Sequence, residues 1–253
     1  MRVLIAIPTY NEERYVQRVL ARVRQFADNI LVIDDGSTDS TPCLLPREPV
    51  EVIRHATNRG YGRSLQDAFR WACVDKFDWV ITMDCDEQHE PESIPAFMRA
   101  IAANTHDVIS GSRYLPHDPP ASGDADLPPP ARRAINRAVT AEINERLGLS
   151  ITDAFCGFKA YRTCAVSRLP YDVDGYAFPM QFWVQAVAND LRIREIPVRL
   201  IYNDPTRTFG GPLKDDAVRL RHYREVLQRE IERCVERLPA SSRLVRAEGY
   251  GGK

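Results

Sequence analysis

Residues 79–91 read WVITMDCDEQHEP, and this stretch decides the fold. An apolar and β-branched run, Trp79, Val80, Ile81, Thr82 and Met83, stops abruptly and gives way to Asp84, Asp86, Glu87, Gln88, His89 and Glu90. A short run of that kind bounded by polar residues is the pattern of a buried strand. In an open α/β sheet, ligands bind in the crevice outside such strand ends. Side chains alternate along an extended chain, so Asp84, Asp86 and Gln88 face one way if the backbone stays extended. Two carboxylates and a carboxamide oxygen suit Mg²⁺ or Mn²⁺, hard ions that leave positions for substrate phosphates. The same acids also fit a second role. Pro91 and Glu92 open a helical pattern, and acids just before a helix complement its dipole. Taken alone, the motif leaves both roles open.

Outward from this strand, strand-like and helix-like segments alternate. Residues 3–7, 30–33, 50–53 and 108–110 read as further strands. Tyr15, Val16, Val19, Leu20, Val23 and Phe26 recur at helical spacing, and residues 65–72 and 91–103 read as helices. The alternation predicts an α/β fold, a mainly parallel central sheet with helices on both faces. Beyond residue 130 the pattern gives helices over 131–147, 178–188 and 213–238, with strands over 157–161 and 193–202. The last helix carries Val218, Tyr223, Val226, Leu227, Ile231, Val235 and Leu238 in one stripe, and its other face mixes Arg with Glu. That stripe suits packing on the sheet, whereas a membrane-surface helix is more one-sidedly basic. Residues 114–130, rich in proline and small or acidic residues, are expected to be a mobile loop, either a lid or a surface insertion. A single domain over 1–238 and a disordered tail over 239–253 complete the expectation.

Composition excludes several classes. With 34 Lys and Arg against 35 Asp and Glu, the chain lacks the basic excess that bulk nucleic-acid binding needs. A hydrophobic fraction of 44% with 27% charged residues describes a globular protein rather than a disordered one. There is no apolar run of bilayer-spanning length, and the N-terminus enters a strand directly, so the expectation is a cytoplasmic protein. Cys43, Cys73, Cys85, Cys156, Cys164 and Cys234 form no C-x-x-C pair and indicate neither a zinc site nor a disulfide framework.

Four short motifs fall where parallel strands would end: PTYNE over 8–12, DDGSTD over 34–39, NRGYG over 58–62 and Asp84-Cys85-Asp86. In a doubly wound sheet those ends line a common crevice. Each motif alone also reads as ordinary turn or capping chemistry. A nucleoside diphosphate needs acceptors for its base, small residues for backbone approach and a cation on its phosphates, all of which the set can supply. A dinucleotide-binding Rossmann domain fails because residues 7–13, IPTYNEE, replace the G-x-G-x-x-G turn. A P-loop fails because no glycine loop ends in G-K-[ST].

In order and spacing, IPTYNE, VIDDGSTDST, NRGYG, TMDCDEQHEP, SGSRY, TDAFCGFKAYR and GYAFPMQF resemble the inverting glycosyltransferases of family 2, above all the dolichyl-phosphate or polyprenyl-phosphate mannosyltransferase-like branch. The resemblance spans residues 3–214. It implies a GT-A fold and transfer of a sugar from a nucleotide-sugar, such as GDP-mannose or a UDP-sugar, to an acceptor such as a polyprenyl phosphate. By the same resemblance Pro8, Tyr10, Glu12 and Asp35 hold base and ribose, and Asp84, Asp86 and Gln88 hold a divalent cation, Mg²⁺ or Mn²⁺, with Asp84 bridging toward the donor. Arg113, Arg132 and Asn136 match positions facing the acceptor phosphate; residues 207–214, RTFGGPLK, loosely echo the R-x-x-G-x-S-K clamp on the donor diphosphate, with Arg207 in place and Lys214 displaced from the register by one extra residue.

Departures from the branch are specific. One residue is inserted before Pro91, Asn136 replaces a usual serine, Cys156 stands where a small hydroxyl residue is expected, and Gln181 replaces a glutamate. If the acceptor is a lipid phosphate, its oxygen is already anionic and no strong base is required. If it is a hydroxyl, Asp153 is the candidate base, because Gln181 cannot titrate. A lipid acceptor would be met peripherally, at the inner face of a membrane, or through a membrane subunit. Two alternatives have distinct signatures: a sugar-phosphate nucleotidyltransferase releases pyrophosphate, and a binding subunit without turnover binds donor but transfers nothing.

Overall fold

The computed structural model describes residues 1–116, 130–199, 201 and 211–243. Seven strands form one sheet: β1 Val3–Thr9, β2 Ile30–Asp34, β3 Glu51–Arg54, β4 Trp79–Thr82, β5 Val108–Ser112, β6 Lys159–Arg162 and β7 Ile193–Pro197. Their order is β3-β2-β1-β4-β6-β5-β7. Strands β1, β2 and β4 are buried along almost their whole length and read as the near-continuous apolar runs that a sheet covered on both faces requires.

Helices cover both faces, as the alternation predicts. They are α1 Val16–Val23, α2 Thr41–Leu44, α3 Tyr61–Val74, α4 Ile94–Ala102, α5 Pro130–Leu147, α6 Thr163–Val166, α7 Phe178–Ala188 and α8 Asp216–Cys234. One core joins Val16, Val19, Leu20 and Val23 of α1 and Ile94, Phe97 and Ile101 of α4 to the sheet. The opposite core gathers α3, α5, α7 and α8 around Phe69, Phe178, Phe182 and Trp183. The apolar stripe of α8 is buried at Tyr223, Val226, Leu227 and Ile231, so packing accounts for it.

The sheet is mixed at one place, and this positions the site. β1–β2, β2–β3, β1–β4 and β5–β7 pair in parallel, whereas β6 runs antiparallel to both β4 and β5. The amino end of β6 therefore lies on the edge formed by the carboxyl ends of its neighbours. β6 begins at Lys159 rather than at residue 157, and β7 ends at Pro197, short of residue 202. The helix expected over 213–238 is α8 with single 3₁₀ turns at Gly211–Lys214 and Val235–Arg237. The expected tail begins with structure. Ala240–Arg243 forms a 3₁₀ turn whose Ser242 carbonyl accepts from the Arg146 guanidinium at 3.0 Å. Of the predicted loop, residues 117–129 lie outside the described residues.

Gly36 fixes the turn after β2. Its φ of +72° lies in the left-handed region, and a Cβ there would come within 2.4 Å of the Thr57 carbonyl carbon. Gly148 shares the backbone conformation, φ +68°, but has nothing within 4 Å. Chemical denaturation should therefore place Gly148→Ala about 1 kcal/mol below the parent protein, from the conformation alone. Gly36→Ala should fall further, by about 3 kcal/mol, because overpacking adds to the strain.

Candidate active site

A cavity of about 890 Å³ opens along this sheet edge. It is lined by the ends of β1, β2 and β4, by the start of β6, and by residues of α3, α5 and α8. Pro8, Tyr10, Glu12 and Asp35 stand on one side of it. Tyr10 is 43% exposed, at the rim, and Glu12 is buried with its N–H donating to Thr41 Oγ1 at 2.9 Å. Asp35 is buried and accepts the N–H groups of Arg59 and Gly60, both at 2.8 Å, one on each carboxylate oxygen. The His55 ring bridges Asp35 Oδ1 at 2.6 Å and Asp67 Oδ2 at 3.1 Å. Asp35 thus folds the NRGYG loop onto the strand end.

The acids after β4 sit on a turn. The strand stops at Thr82, Glu87 takes φ +60°, and the Gln88 N–H donates back to Asp86 Oδ1 at 3.0 Å. The extended register expected for Asp84, Asp86 and Gln88 is therefore not formed, because a side-chain-capped turn replaces it. All three residues nevertheless line the cavity. Glu87 points elsewhere, onto the Arg18 guanidinium. The second expected role is partly filled: Pro91 opens a 3₁₀ turn, Pro91–Ser93, ahead of α4, with Glu92 in its first turn.

Two neighbours confine Asp84. A Cβ on Gly157 would lie 3.0 Å from both of its carboxylate oxygens and 2.8 Å from the Tyr61 hydroxyl, so any side chain there would displace the Asp84 carboxylate or the Tyr61 hydroxyl. Burial and the Asp84 charge together push the Tyr61 hydroxyl well above its ordinary pKa. His89 is buried, with Nδ1 accepting the Asp84 N–H at 3.0 Å, which is the geometry of a neutral ring. Burial favours that form too. The carboxylates of Asp84 and Asp86, with the neighbouring Cys156, oppose it and raise the pKa to about 9. A cation on the carboxylates would weaken that opposition and favour the neutral ring.

Across the cavity lies a buried ion pair. Arg113 Nε and Nη2 donate to Asp153 Oδ2 and Oδ1 at 2.5 and 2.8 Å, the bidentate arrangement. Asn136 Nδ2 donates to the same carboxylate at 3.2 Å and to the Tyr114 hydroxyl at 3.3 Å. The N–H groups of Phe155 and Cys156 complete it at 3.1 and 3.2 Å. Burial would raise the pKa of Asp153, but Arg113, Lys159 and these hydrogen bonds overcome it and hold the carboxyl well below the usual range. The Glu195 carboxylate in turn accepts from the Asp153 N–H at 3.0 Å and orients the loop.

The cavity brings together Pro8, Tyr10, Glu12, Asp35, Asp84, Asp86, Gln88, Arg113, Arg132 and Asn136. Asp153 stands behind Arg113 and is fully buried, and Lys214 is exposed at the end of its 3₁₀ turn, one residue beyond the cavity-lining Leu213. Arg207 lies outside the described residues. Gln181 is buried away from the cavity. Its Oε1 accepts the N–H groups of Asp172 and Val173 at 3.0 and 3.1 Å, and its Nε2 donates to Asp172 and Glu230 at 2.7 and 3.0 Å. A glutamate could not donate to those two acids, so the amide answers a packing demand and removes no group from the cavity. Tyr61, Lys159, Tyr176, His222 and Tyr223 also line the cavity, and motif reading did not single them out. The alternation of Lys159 and Tyr161 on β6 was the available signal, and it needed the direction of that strand.

The Glycosyl transferase family 2 model matches residues 4–169. The chain belongs to glycosyltransferase family 2. It is 31% identical over 235 residues to an undecaprenyl-phosphate mannosyltransferase of Micrococcus luteus, covering 88% of this chain and 94% of that protein. A polyprenol monophosphomannose synthase of Mycolicibacterium smegmatis is 28% identical over 208 residues, covering 78% and 76%. Among solved structures, glucosyl-3-phosphoglycerate synthase from Mycobacterium tuberculosis, in complex with Mn²⁺, UDP and glucosyl-3-phosphoglycerate, superposes with a TM-score of 0.66. That likeness covers 94% of this chain and 81% of that one at 17% identity, and it shows a shared GT-A fold. In this glycosyltransferase the GT-A sheet thus carries both motif clusters on one edge.

Because Asp153 has a lowered folded-state pKa, its stabilising effect is complete above the unfolded carboxyl value of about 4 and is lost as the pH falls toward the folded value. Asp153→Asn leaves Arg113 buried without its counter-charge. Urea denaturation at pH 7 should show a loss of about 3 kcal/mol, and the gap to the parent protein should narrow steadily below about pH 4.

Proposed function

We propose that this glycosyltransferase moves a sugar from a nucleotide-sugar to a polyprenyl phosphate with inversion at the anomeric carbon. The single observation carrying this reading is the cavity's division by charge. Asp84 and Asp86 stand on one side, and the Arg113–Asp153–Asn136 cluster with Arg132 stands on the other. The relatives named for undecaprenyl-phosphate and polyprenol mannosylation support the acceptor class.

The donor set fits a divalent cation. Among the described residues no group of three or more His, Cys, Asp and Glu could hold an ion by itself. Asp84, Asp86 and Gln88 offer oxygens only, and this suits an ion whose shell is shared with substrate phosphates, Mg²⁺ or Mn²⁺. When bound, the ion would neutralise charge developing on the departing diphosphate. Pro8, Tyr10 and Glu12 line the donor side, and Asp35 fixes the loop that closes it.

The acceptor's phosphate oxygen is anionic and attacks the anomeric carbon directly. The bond from that carbon to the diphosphate breaks, and the nucleoside diphosphate leaves. No proton need be removed, and this agrees with the state of Asp153. Its carboxylate is saturated with hydrogen bonds and paired with Arg113, so it positions the guanidinium rather than accepting a proton. Arg113, Arg132 and Asn136 orient the acceptor phosphate, and Arg207 and Lys214 steady the donor diphosphate. Among the described residues no helix is long and apolar enough to cross a membrane. We place the lipid acceptor at a membrane surface, reached peripherally or with a membrane subunit.

Incubation with a panel of labelled nucleotide-sugars, undecaprenyl phosphate and Mn²⁺ should transfer label from one donor into the organic phase. Label that appears only in water, or pyrophosphate release from a nucleoside triphosphate and a sugar phosphate, contradicts the proposal. Asp86→Ala should stay folded, losing about 1 kcal/mol with the turn's side-chain cap, and lose at least about a hundredfold in turnover. Retained Mn²⁺-dependent donor binding in that variant would remove Asp86 from the metal set.

A further inference from the structure

The cations facing the cavity differ in how they are balanced. Arg113 is bound on two atoms by Asp153, and Arg219 pairs with Asp216. Lys159 is 3% exposed and lines the same cavity, yet among the described residues no carboxylate lies within 4 Å of its ammonium. Its nitrogen donates to the Cys156 carbonyl and sits 5.4 Å from the centre of the Trp183 ring. An ammonium has three donors, and among the described residues the hydrogen bond it makes is to a neutral carbonyl. Burial lowers its pKa and outweighs the more distant charges of Asp153 and Glu195, which favour the ammonium.

The topology explains why this residue stands there. Because β6 is antiparallel to β4 and β5, its first residue lies on the cavity edge. Lys159 pairs with Thr82, two residues before Asp84, and with Ser110, three residues before Arg113. It is therefore seated between the acidic turn and the basic cluster. A buried ammonium with no carboxylate in direct contact is a stability cost, and methionine in its place would remove that cost. A phosphate arriving in the cavity would instead supply the missing charge.

We propose that Lys159 is a phosphate-binding residue of the cavity, meeting the acceptor's phosphate beside the Arg113–Asp153 pair. That the phosphate belongs to a prenyl lipid rests on the function proposed above. The anion-binding role itself does not.

The test titrates inorganic phosphate, farnesyl phosphate, and GDP or UDP with Mn²⁺ into the full chain, Lys159→Met and Lys159→Arg, with melting temperatures recorded alongside. Lys159→Met should melt at or above the parent protein and bind farnesyl phosphate and inorganic phosphate at least about tenfold more weakly. Its nucleotide affinity should stay within about twofold, and Lys159→Arg should recover part of the loss. Unchanged binding of both phosphate probes in Lys159→Met overturns the inference, as does a parent protein that binds neither. A loss confined to the nucleotide moves Lys159 to the donor and overturns the acceptor assignment. A fall in melting temperature with phosphate affinity unchanged makes Lys159 a structural residue. If the parent protein binds inorganic phosphate but not farnesyl phosphate, and Lys159→Met loses it, the lipid-acceptor reading fails while the anion site stands.

Discussion

The register of β4 against β6 is the constraint on which the rest of the site depends. It sets Thr82 opposite Lys159, and the Thr82 hydroxyl donates to the Gly157 carbonyl at 2.7 Å. That contact draws residues 153–159 against the acidic turn so closely that residue 157 has no room for a side chain. A parallel β6 would have delivered its amino end to the far side of the sheet. One antiparallel strand in an otherwise parallel neighbourhood thus brings the acidic turn and the basic cluster to a single cavity.

Electrostatics then keeps the two halves apart in role. At the end of β2 Asp35 has both oxygens committed to backbone N–H groups, so it acts as a rigid wall that carries the NRGYG loop. Beyond β5 the Arg113–Asp153 pair is nearly dehydrated. Such a pair is weak evidence for stability, since desolvation offsets much of its attraction, but it fixes a guanidinium in one orientation. Asn136 and Tyr114 add further hydrogen bonds to that orientation. Pre-set donors of this kind need little reorganisation when an anion arrives.

Much of this was legible in the chain. The β-branched runs of β1, β2 and β4 were readable because sheets covered on both faces leave little polar alternation, and α7 was read at its true bounds, Phe178–Ala188. The motifs at strand ends gave the cavity residues from Pro8 to Asp86, since strand ends of a parallel sheet share an edge, and the family resemblance added Arg113, Arg132 and Asn136. What was not legible depended on long-range pairing. The direction of β6, and with it the place of Lys159, follows from contacts of 75 and more residues in sequence separation. The turn at Asp86–Gln88, where the Gln88 N–H donates to Asp86 and Glu87 takes a positive φ, leaves little trace in composition, so whether the chain stayed extended there was not legible. Gln181 looked like a lost functional group until its partner, Glu230 on α8, was in view.

The central claim is that one cavity holds a nucleotide-sugar's diphosphate on a cation at the end of β4, facing the Arg113 cluster. A crystal grown with Mn²⁺ and GDP or UDP, measured at the manganese absorption edge, tests it most directly. The account predicts one strong anomalous peak within coordination distance of Asp86 and the diphosphate, with the nucleoside against Asp35 and Tyr10. A peak elsewhere, or a nucleotide bound with no ion at these acids, would contradict it.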